Sequence, residues 1–291
     1  MDYDEPKRID LHIHSTASDG TLTPHEILLL AEQLGISAIS ITDHDTMEGS
    51  EQAVLYKKSS SLEVITGVEI SSNPPFSLPS TGSLHILGYG IQTNHSGLKK
   101  ALDRLQAARK NRNPQILEKL ASMGISITPE EILETVGPGR IGRPHIAGVL
   151  IARGIVKDMD DAFDTYLGKN RPAYIDKYRI ACEDAIHLIL HAGGIPVLAH
   201  PGIIRTSEPD GLETLVETLK EMGLMGIEVY YPGHSDTQTK LYLQIARKND
   251  LLVTGGTDFH GGMHPDIQMG SGRGDTFIPY SLYEKLIQKL S

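Results

Sequence analysis

The sequence predicts an α/β barrel of about seven strands with helices outside, and a small helical domain inserted part-way along it. Three observations predict it. Short apolar, β-branched runs recur through the 291 residues, with helical segments between most of them. A His or an acid stands at the end of almost every such run. One connection, between the fourth and fifth runs, is far longer than an ordinary loop and reads as helix throughout.

The runs are Arg8–Ile13, Ser37–Thr42, Leu62–Ile70, Leu84–Tyr89, Ile195–Ala199, Met225–Tyr230 and Leu251–Gly255. After the first, Thr23-Pro24-His25-Glu26 is a capping box with proline at the first helical position, and Gly35 closes that helix. Repetition of strand, loop and helix predicts a parallel sheet, whose chemistry gathers at the strands' C-terminal ends. Ser71–Ser83 is too rich in Pro and Ser for a helix and is expected as a loop near the site mouth.

The long connection predicts a helical domain over residues 97–181, which divides the barrel into 1–96 and 182–291. Its pieces are Gly97–Met123, a short helix opened by the capping box Thr128-Pro129-Glu130-Glu131, Arg143–Arg153 stopped by Gly154, and Asp160–Leu167. Ala181–His191 returns the chain to the barrel.

Composition excludes several classes. Lys plus Arg number 27 against 37 Asp plus Glu, a net charge of −10, so a broad basic face for long nucleic acid is not expected. The longest apolar runs fall well short of the roughly 20 residues of a membrane helix. Cys182 is the only cysteine, so no intrachain disulfide can form, and Met1–Ile9 is polar and charged instead of signal-like. A reducing cytoplasm is the expected location.

The chemistry begins at Asp10-Leu11-His12-Ile13-His14-Ser15-Thr16-Ala17-Ser18-Asp19-Gly20. Strand residues two apart point to one side, so His12 and His14 can share a metal ion. His44 follows the second run within Asp43-His44-Asp45, Glu69 ends the third, His85 lies on the fourth, His200 ends the fifth, and Asp258 and His260 follow the seventh. One histidine at a strand end is usually structural. Nine ligand-type residues, His12, His14, Asp19, His44, Glu69, His85, His200, Asp258 and His260, at six strand ends predict two or three divalent ions. Imidazoles and carboxylates suit Mn, Fe or Zn, and Cys182, on a predicted helix, adds no thiolate.

DLHIHSTASDG, TDHD, GVE, HILGYG, AHP and GTDFHG, in that order, resemble the motifs of the PHP family, the polymerase and histidinol phosphatase superfamily. The resemblance spans nearly the whole chain apart from the insertion. It implies a distorted (β/α)7 TIM-like barrel with an inserted helical domain, and a metal-dependent phosphoesterase activity. It implies that His12, His14, Glu69 and Asp258 hold one ion, Glu69, His85 and His200 a second, and Asp19, His44 and His260 a third. No ligand position is replaced, unlike the inactive forms of this domain.

Gly142-Arg143-Pro144-His145 at a predicted helix start resembles the signature of family members that hydrolyse nucleotide phosphates. Arg143 offers phosphate a bidentate fork, and the helix start adds free N–H groups. His145 is the candidate proton donor, with Arg143 and His145 placed in both catalytic and substrate-binding roles. Arg171, in Arg171-Pro172-Ala173-Tyr174, is a further phosphate candidate. The expected substrate is a small phosphorylated molecule, foremost the 3′-phosphate of a nucleoside 3′,5′-bisphosphate, with short oligonucleotides as a related possibility. Histidinol-phosphate phosphatase is the nearest rival, and the insertion argues against it. A non-catalytic metal-binding module is disfavoured by the complete ligand set. An amide or ring hydrolase of the His-x-His type would want a carboxylated Lys where the fourth run carries His85.

Overall fold

The computed structural model describes residues 6–57, 61–78, 84–136, 141–206, 208 and 210–291. One sheet holds β1 (Ile9–Ile13), β2 (Ala38–Ile41) and β3 (Glu63–Val64) in that order, all parallel. The other has β4 (Gly67–Asn73), β5 (Leu84–Tyr89), β6 (Ile180–Ala181), β7 (Ile195–Leu198), β8 (Gly226–Tyr230) and β9 (Leu252–Gly255), arranged β6-β4-β5-β7-β8-β9. Two parallel bridges, Ile13 to Phe259 and His44 to Glu69, join the sheets edge to edge. A ring of seven strands results, closed at both seams by residues beside or within the candidate ligand set.

The parallel expectation fails at one strand. β5 runs antiparallel to both β4 and β7, with Ser71 opposite His85 and Ile86 opposite Leu198. Only residues 74–83 separate β5 from β4, too few for a crossover connection of about a dozen residues or more, so the chain returns as a hairpin neighbour in the opposite sense. The single run Leu62–Ile70 is also two strands. β3 pairs with β2, while β4 pairs with β5, and the break falls at Ile65–Thr66. β4 then continues through Ser71 and Ser72 to Asn73, past the predicted loop start, and Pro74, which has no N–H to give a ladder, follows it. Residues 79–83 of that predicted loop lie outside the described residues. The two-residue β6, parallel to β4, has no clear pattern in the sequence.

Leu87, Tyr89, Val197 and Leu11 are fully buried in one cluster, and the Tyr89 hydroxyl donates to the Leu11 carbonyl at 3.0 Å, tying β5 to β1. The C-terminal helix Ser281–Leu290 sets Leu282, Tyr283 and Leu286 into the same cluster. Each fully buried Leu or Ile of this kind contributes about 1.5–3 kcal/mol. Among the outer helices, α1 (Pro24–Gln33) has the predicted reciprocal capping box between Thr23 and Glu26, and Gly35 follows at φ +65°. α2 (Glu48–Tyr56) follows β2.

The long connection is helical, as expected: α3 (Ser96–Ser122), α4 (Pro129–Val136), α5 (Arg143–Ala152) and α6 (Met159–Ala162), the last running into a π-helical turn, Phe163–Leu167. α3 belongs to two cores. Leu98, Leu102 and Leu105 pack with barrel residues, whereas Ile116 and Leu120 join Ile132, Ile146, Val149, Leu150 and Leu167 in a separate cluster. At the start of α4, Thr128 caps the Glu131 N–H at 3.2 Å, but the Glu131 carboxylate is turned to Arg153, at 2.7 and 2.5 Å. A bidentate ion pair to the end of α5 thus replaces half of the expected capping box. α7 (Cys182–His191), α8 (Gly211–Glu221) and α9 (Asp236–Lys248) complete the barrel's outer layer, and Ser281–Leu290 is α10.

Candidate metal centre

His12 and His14 are fully buried on β1, two residues apart and so on one side of the strand. Their Nε2 atoms converge on two carboxylates. His12 Nε2 lies 3.3 Å from Asp258 Oδ1 and 3.5 Å from Glu69 Oε2, and His14 Nε2 lies 3.1 and 3.3 Å from the same atoms. Glu69 also meets His85 Nδ1 at 2.7 Å, His200 Nε2 at 2.9 Å and His44 Nδ1 at 2.8 Å. Asp19 faces His14, His44 and His260 at 3.7, 3.9 and 3.6 Å. All nine predicted ligand residues therefore fall in one contiguous nest.

The antiparallel β5 matters here. His85 is the second residue of its strand, where a parallel strand would place it at the opposite rim; reversal brings it opposite Ser71 and into contact with Glu69. Glu69 sits inside β4 instead of at its end, because the strand continues to Asn73.

Four groups of side chains have ligand atoms close enough to share an ion: His14, Asp19, His44 and His260; His12, Glu69 and His200; His12, His14 and Asp258; His44, Glu69 and His85. Groups held about 2.1 Å from one ion stand roughly 3.0–3.4 Å from each other, close to the separations found. The residues fit divalent ions on a second ground. Among the described residues, buried His12 Nε2, His14 Nε2, His44 Nδ1, Asp19 Oδ1 and Glu69 Oε2 face mainly one another without well-aligned hydrogen bonds, an arrangement that costs free energy unless a shared proton or a cation answers it.

The loops that carry these ligands are fixed by acids that are not themselves in the nest. Asp43 accepts from Ser15 N at 2.7 Å, Ser15 Oγ at 2.6 Å and Ser18 Oγ at 2.5 Å, which locks the turn leading to Asp19. Gly20 closes that turn; a Cβ there would run into the His14 carbonyl. Asp10 accepts from Thr257 N at 2.9 Å, Thr257 Oγ1 at 2.5 Å and Gly270 N at 2.8 Å, and so holds the segment bearing Asp258 and His260. Asp258 and His200 take left-handed backbone angles, φ 55° and 25°, strain of the kind that collects at functional sites.

Burial and mutual charge shift most of these groups. Burial works against a charge on His14, yet Asp258 and Glu69 outweigh it and push the imidazole up to about 10. Burial also opposes ionisation of Glu69, but His44, His85 and His12 hold its carboxyl well below the usual range. Burial pushes His85 down to about 4 despite the nearby Glu69.

The sequence reading did not assign Glu228, Asp45 or Arg109. Glu228 is fully buried on β8; its Oε1 lies 2.9 Å from His12 Nδ1 and its Oε2 accepts from His200 N at 2.7 Å. A carboxylate behind a ligating histidine fixes the tautomer that leaves the other nitrogen free to ligate. Asp45, at φ 57°, accepts from Ser71 N at 2.8 Å and pairs with Arg109 at 3.1 Å, and Arg109 reaches Asp19 at 3.9 Å. The repeated Asp around His44 was the visible signal for Asp45. Arg109, mid-helix on α3, carried none.

The insertion reaches the nest at the start of α5. His145 is buried, and its Nδ1 accepts from Gly142 N at 3.2 Å, which leaves the ring proton on Nε2. The space beside the Gly142 α-carbon lies against Asp19 Oδ2, 3.9 Å away. Burial lowers the His145 pKa, opposed by Asp19 and reinforced by His260. Arg143 is half-buried: NH1 donates to Leu167 O at 3.0 Å, and the guanidinium stands 5.2 Å from the Phe163 ring and 5.9 Å from Tyr174. Arg171 is exposed on the insertion.

The PHP domain model matches residues 10–135 of the chain. A 5′-3′ exoribonuclease of Haemophilus influenzae is 32% identical over 254 residues, which is 87% of this chain and 90% of that protein. The chain belongs to the PHP family. A 3′,5′-nucleoside bisphosphate phosphatase of Chromobacterium violaceum is likewise 32% identical over 257 residues, 87% of each. The solved structure of a protein described as a metal-dependent phosphoesterase, from Bifidobacterium adolescentis, superposes with a TM-score of 0.83 at 29% identity over 98% of both chains. With its ligand nest intact, this PHP protein is a metal-dependent phosphoesterase. Among the described residues no helix is long and apolar enough to cross a membrane.

Proposed function

We propose that this enzyme removes a phosphate from a small nucleotide, specifically the 3′-phosphate of a nucleoside 3′,5′-bisphosphate. The observation that supports the reading is the nearness of the Gly142–His145 helix start to Asp19, which would make the insertion, residues 97–181, a substrate cap over the ligand nest. The exoribonuclease and bisphosphate phosphatase names of the two relatives agree on nucleotide phosphates, and they support a nucleotide over histidinol phosphate. Removal of nucleotides from the 5′ end of short RNA is the second reading, favoured by the Haemophilus influenzae relative.

His12, His14, Glu69 and Asp258 would hold one ion, Glu69, His85 and His200 a second, and Asp19, His44 and His260 a third. Such ions supply positive charge to the phosphoryl group and lower the pKa of water at neutral pH. The remaining work falls to the chain. His145 presents its Nε2–H to the leaving oxygen, with Nδ1 committed to Gly142 N. The free N–H groups at the start of α5 orient the reacting phosphate, Arg143 beside them binds substrate phosphate, and Arg171 approaches from the insertion surface. Burial of the nest excludes bulk water and strengthens each of these interactions.

The test is turnover with Mn of a nucleoside 3′,5′-bisphosphate, a nucleoside 5′-monophosphate, histidinol phosphate and a short RNA. Release of phosphate from the bisphosphate with the highest kcat/KM, abolished by chelator, is expected. Preference for histidinol phosphate would overturn the proposal, and preference for RNA would promote the second reading.

A further inference from the structure

Beside the ligand nest lies a concentration of positive charge that the metal chemistry does not use. Arg109 and Lys177 meet on the same Asp45 oxygen, Arg179 donates to the Lys177 carbonyl at 3.1 Å, Arg112 stands one turn along α3 from Arg109, and Arg143, at the start of α5, adds to the repulsion felt by Arg112. Burial pushes Arg112 down to about 9, and Arg143, Arg109 and Arg179 push the same way. Burial likewise pushes Lys177 down to about 7; Arg109, Arg112 and Arg179 add to this against the pull of Asp45.

Few acids answer them. Asp45 pairs with Arg109 at 3.1 Å and with Lys177 at 3.6 Å, and Asp176 pairs with Arg179 at 3.0 Å. Asp19, 3.9 Å from Arg109, already belongs to the ligand nest. Two carboxylates answer four arginines and Lys177, so even with Lys177 neutral two positive charges are in surplus among the described residues, in a chain whose net charge is −10. Arg112 is the decisive member. It is only 5% exposed, and among the described residues its buried Nε has no hydrogen-bond partner; Arg109 Nε is orphaned in the same way. A buried guanidinium N–H without a partner is costly, and repulsion from like charges adds to the cost, so an anion among the five groups would stabilise this arrangement.

We propose that Arg109, Arg112, Arg143, Lys177 and Arg179 form a subsite for a second, non-reacting phosphate of the substrate. The inference rests on the proposed function and deepens it: the substrate carries two phosphates, one at the metal centre and one in the cap. Arg109 joins the two places, since it touches Asp45 on one side and reaches Asp19 on the other. Guanidinium groups match phosphate oxygens with paired N–H donors, which a lone carboxylate or chloride would not fill as well.

The experiment compares kcat/KM for a nucleoside 3′,5′-bisphosphate and for p-nitrophenyl phosphate, with Mn, in wild type, Arg112→Met and Lys177→Met. The ratio of bisphosphate to simple monoester should fall at least tenfold in each variant; a ratio unchanged in both overturns the subsite. A wild-type comparison needs no variant to fold: the bisphosphate should exceed the matching nucleoside 3′-monophosphate at least tenfold in kcat/KM, and equality overturns the proposal. A short RNA serves as a further arm: a tenfold loss for RNA together with the loss for the bisphosphate supports the subsite, and a loss for RNA alone overturns it as a site for the second phosphate of the bisphosphate. Wild type that cleaves p-nitrophenyl phosphate but no nucleotide would overturn the function and the subsite together. Nucleotide turnover with unchanged ratios would overturn the subsite alone.

Discussion

Glu228→Gln tests whether the metal centre depends on a residue that is no part of the predicted ligand set. The Glu228 carboxylate accepts twice, from His12 Nδ1–H at 2.9 Å and from the His200 backbone N–H at 2.7 Å, and it is fully buried. An amide has one accepting oxygen, so one of these contacts must be lost. If the amide nitrogen faces His200 N, two donors oppose each other in a dry site. If it faces His12, the imidazole must accept at Nδ1 and carry its proton on Nε2, the atom aimed at Glu69 and Asp258. Either way a hydrogen bond to a charged group is forfeited, worth about 1.5–3 kcal/mol. At 1.4 kcal/mol per decade, the affinity for a divalent ion should fall roughly tenfold to a hundredfold, the range expected of partners behind ligating histidines. Calorimetric titration of chelator-stripped protein with Mn measures it, and circular dichroism confirms that the variant is folded. A folded variant with wild-type ion affinity would refute the tautomer argument.

Replacing His145 by Ala should lower kcat for the nucleotide by about a hundredfold to ten-thousandfold. Because burial keeps the His145 pKa below its usual value, the imidazole is neutral above pH 7 and acts as a hydrogen-bond donor from Nε2, stabilising the leaving oxygen without giving up its proton; the ratio of variant to wild-type kcat should stay constant from about pH 7 to 9. A ratio that closes as pH rises would mean that a protonated imidazole is the donor. Gly256→Ala would drive a methyl into the backbone and Cβ of His12, with overpacking of this kind costing about 1–3 kcal/mol; a lower melting temperature and reduced bound metal are expected, and unchanged metal content would count against the packing argument. Ion binding must also displace the proton that Asp258 and Glu69 hold on His14, whose pKa stands at about 10. Ion affinity should therefore weaken as pH falls, with protons released on binding at pH 7, and calorimetry in buffers of different ionisation enthalpy that detected no release would contradict this.

Much of this protein was legible in one dimension. The period-2 spacing of His12 and His14, acids and imidazoles at strand ends, and capping signals such as Thr23-Pro24-His25-Glu26 are local properties, and local sterics and hydrogen bonding fix them wherever the segment lies. The helical character of the insertion followed in the same way, since Gly and Pro punctuation sets helix ends without reference to neighbours.

Tertiary structure alone decided the sense of β5, the division of the third run into β3 and β4, and the pairing of Glu131 with Arg153. Each depends on which partner a backbone or side-chain group finds across the fold, and pairing energy is not written into the segment itself. His85 nevertheless carried a hint: a ligand at the beginning of a strand reaches the common rim only if that strand runs backwards. Glu228, near the end of the sixth run, fits the pattern of acids at strand ends, but its role, like that of the surplus cations around Arg112, was not fixed by pattern. Their significance lies in what surrounds them: a buried carboxylate gains meaning from the imidazole it steadies, and a buried guanidinium from the anion it lacks.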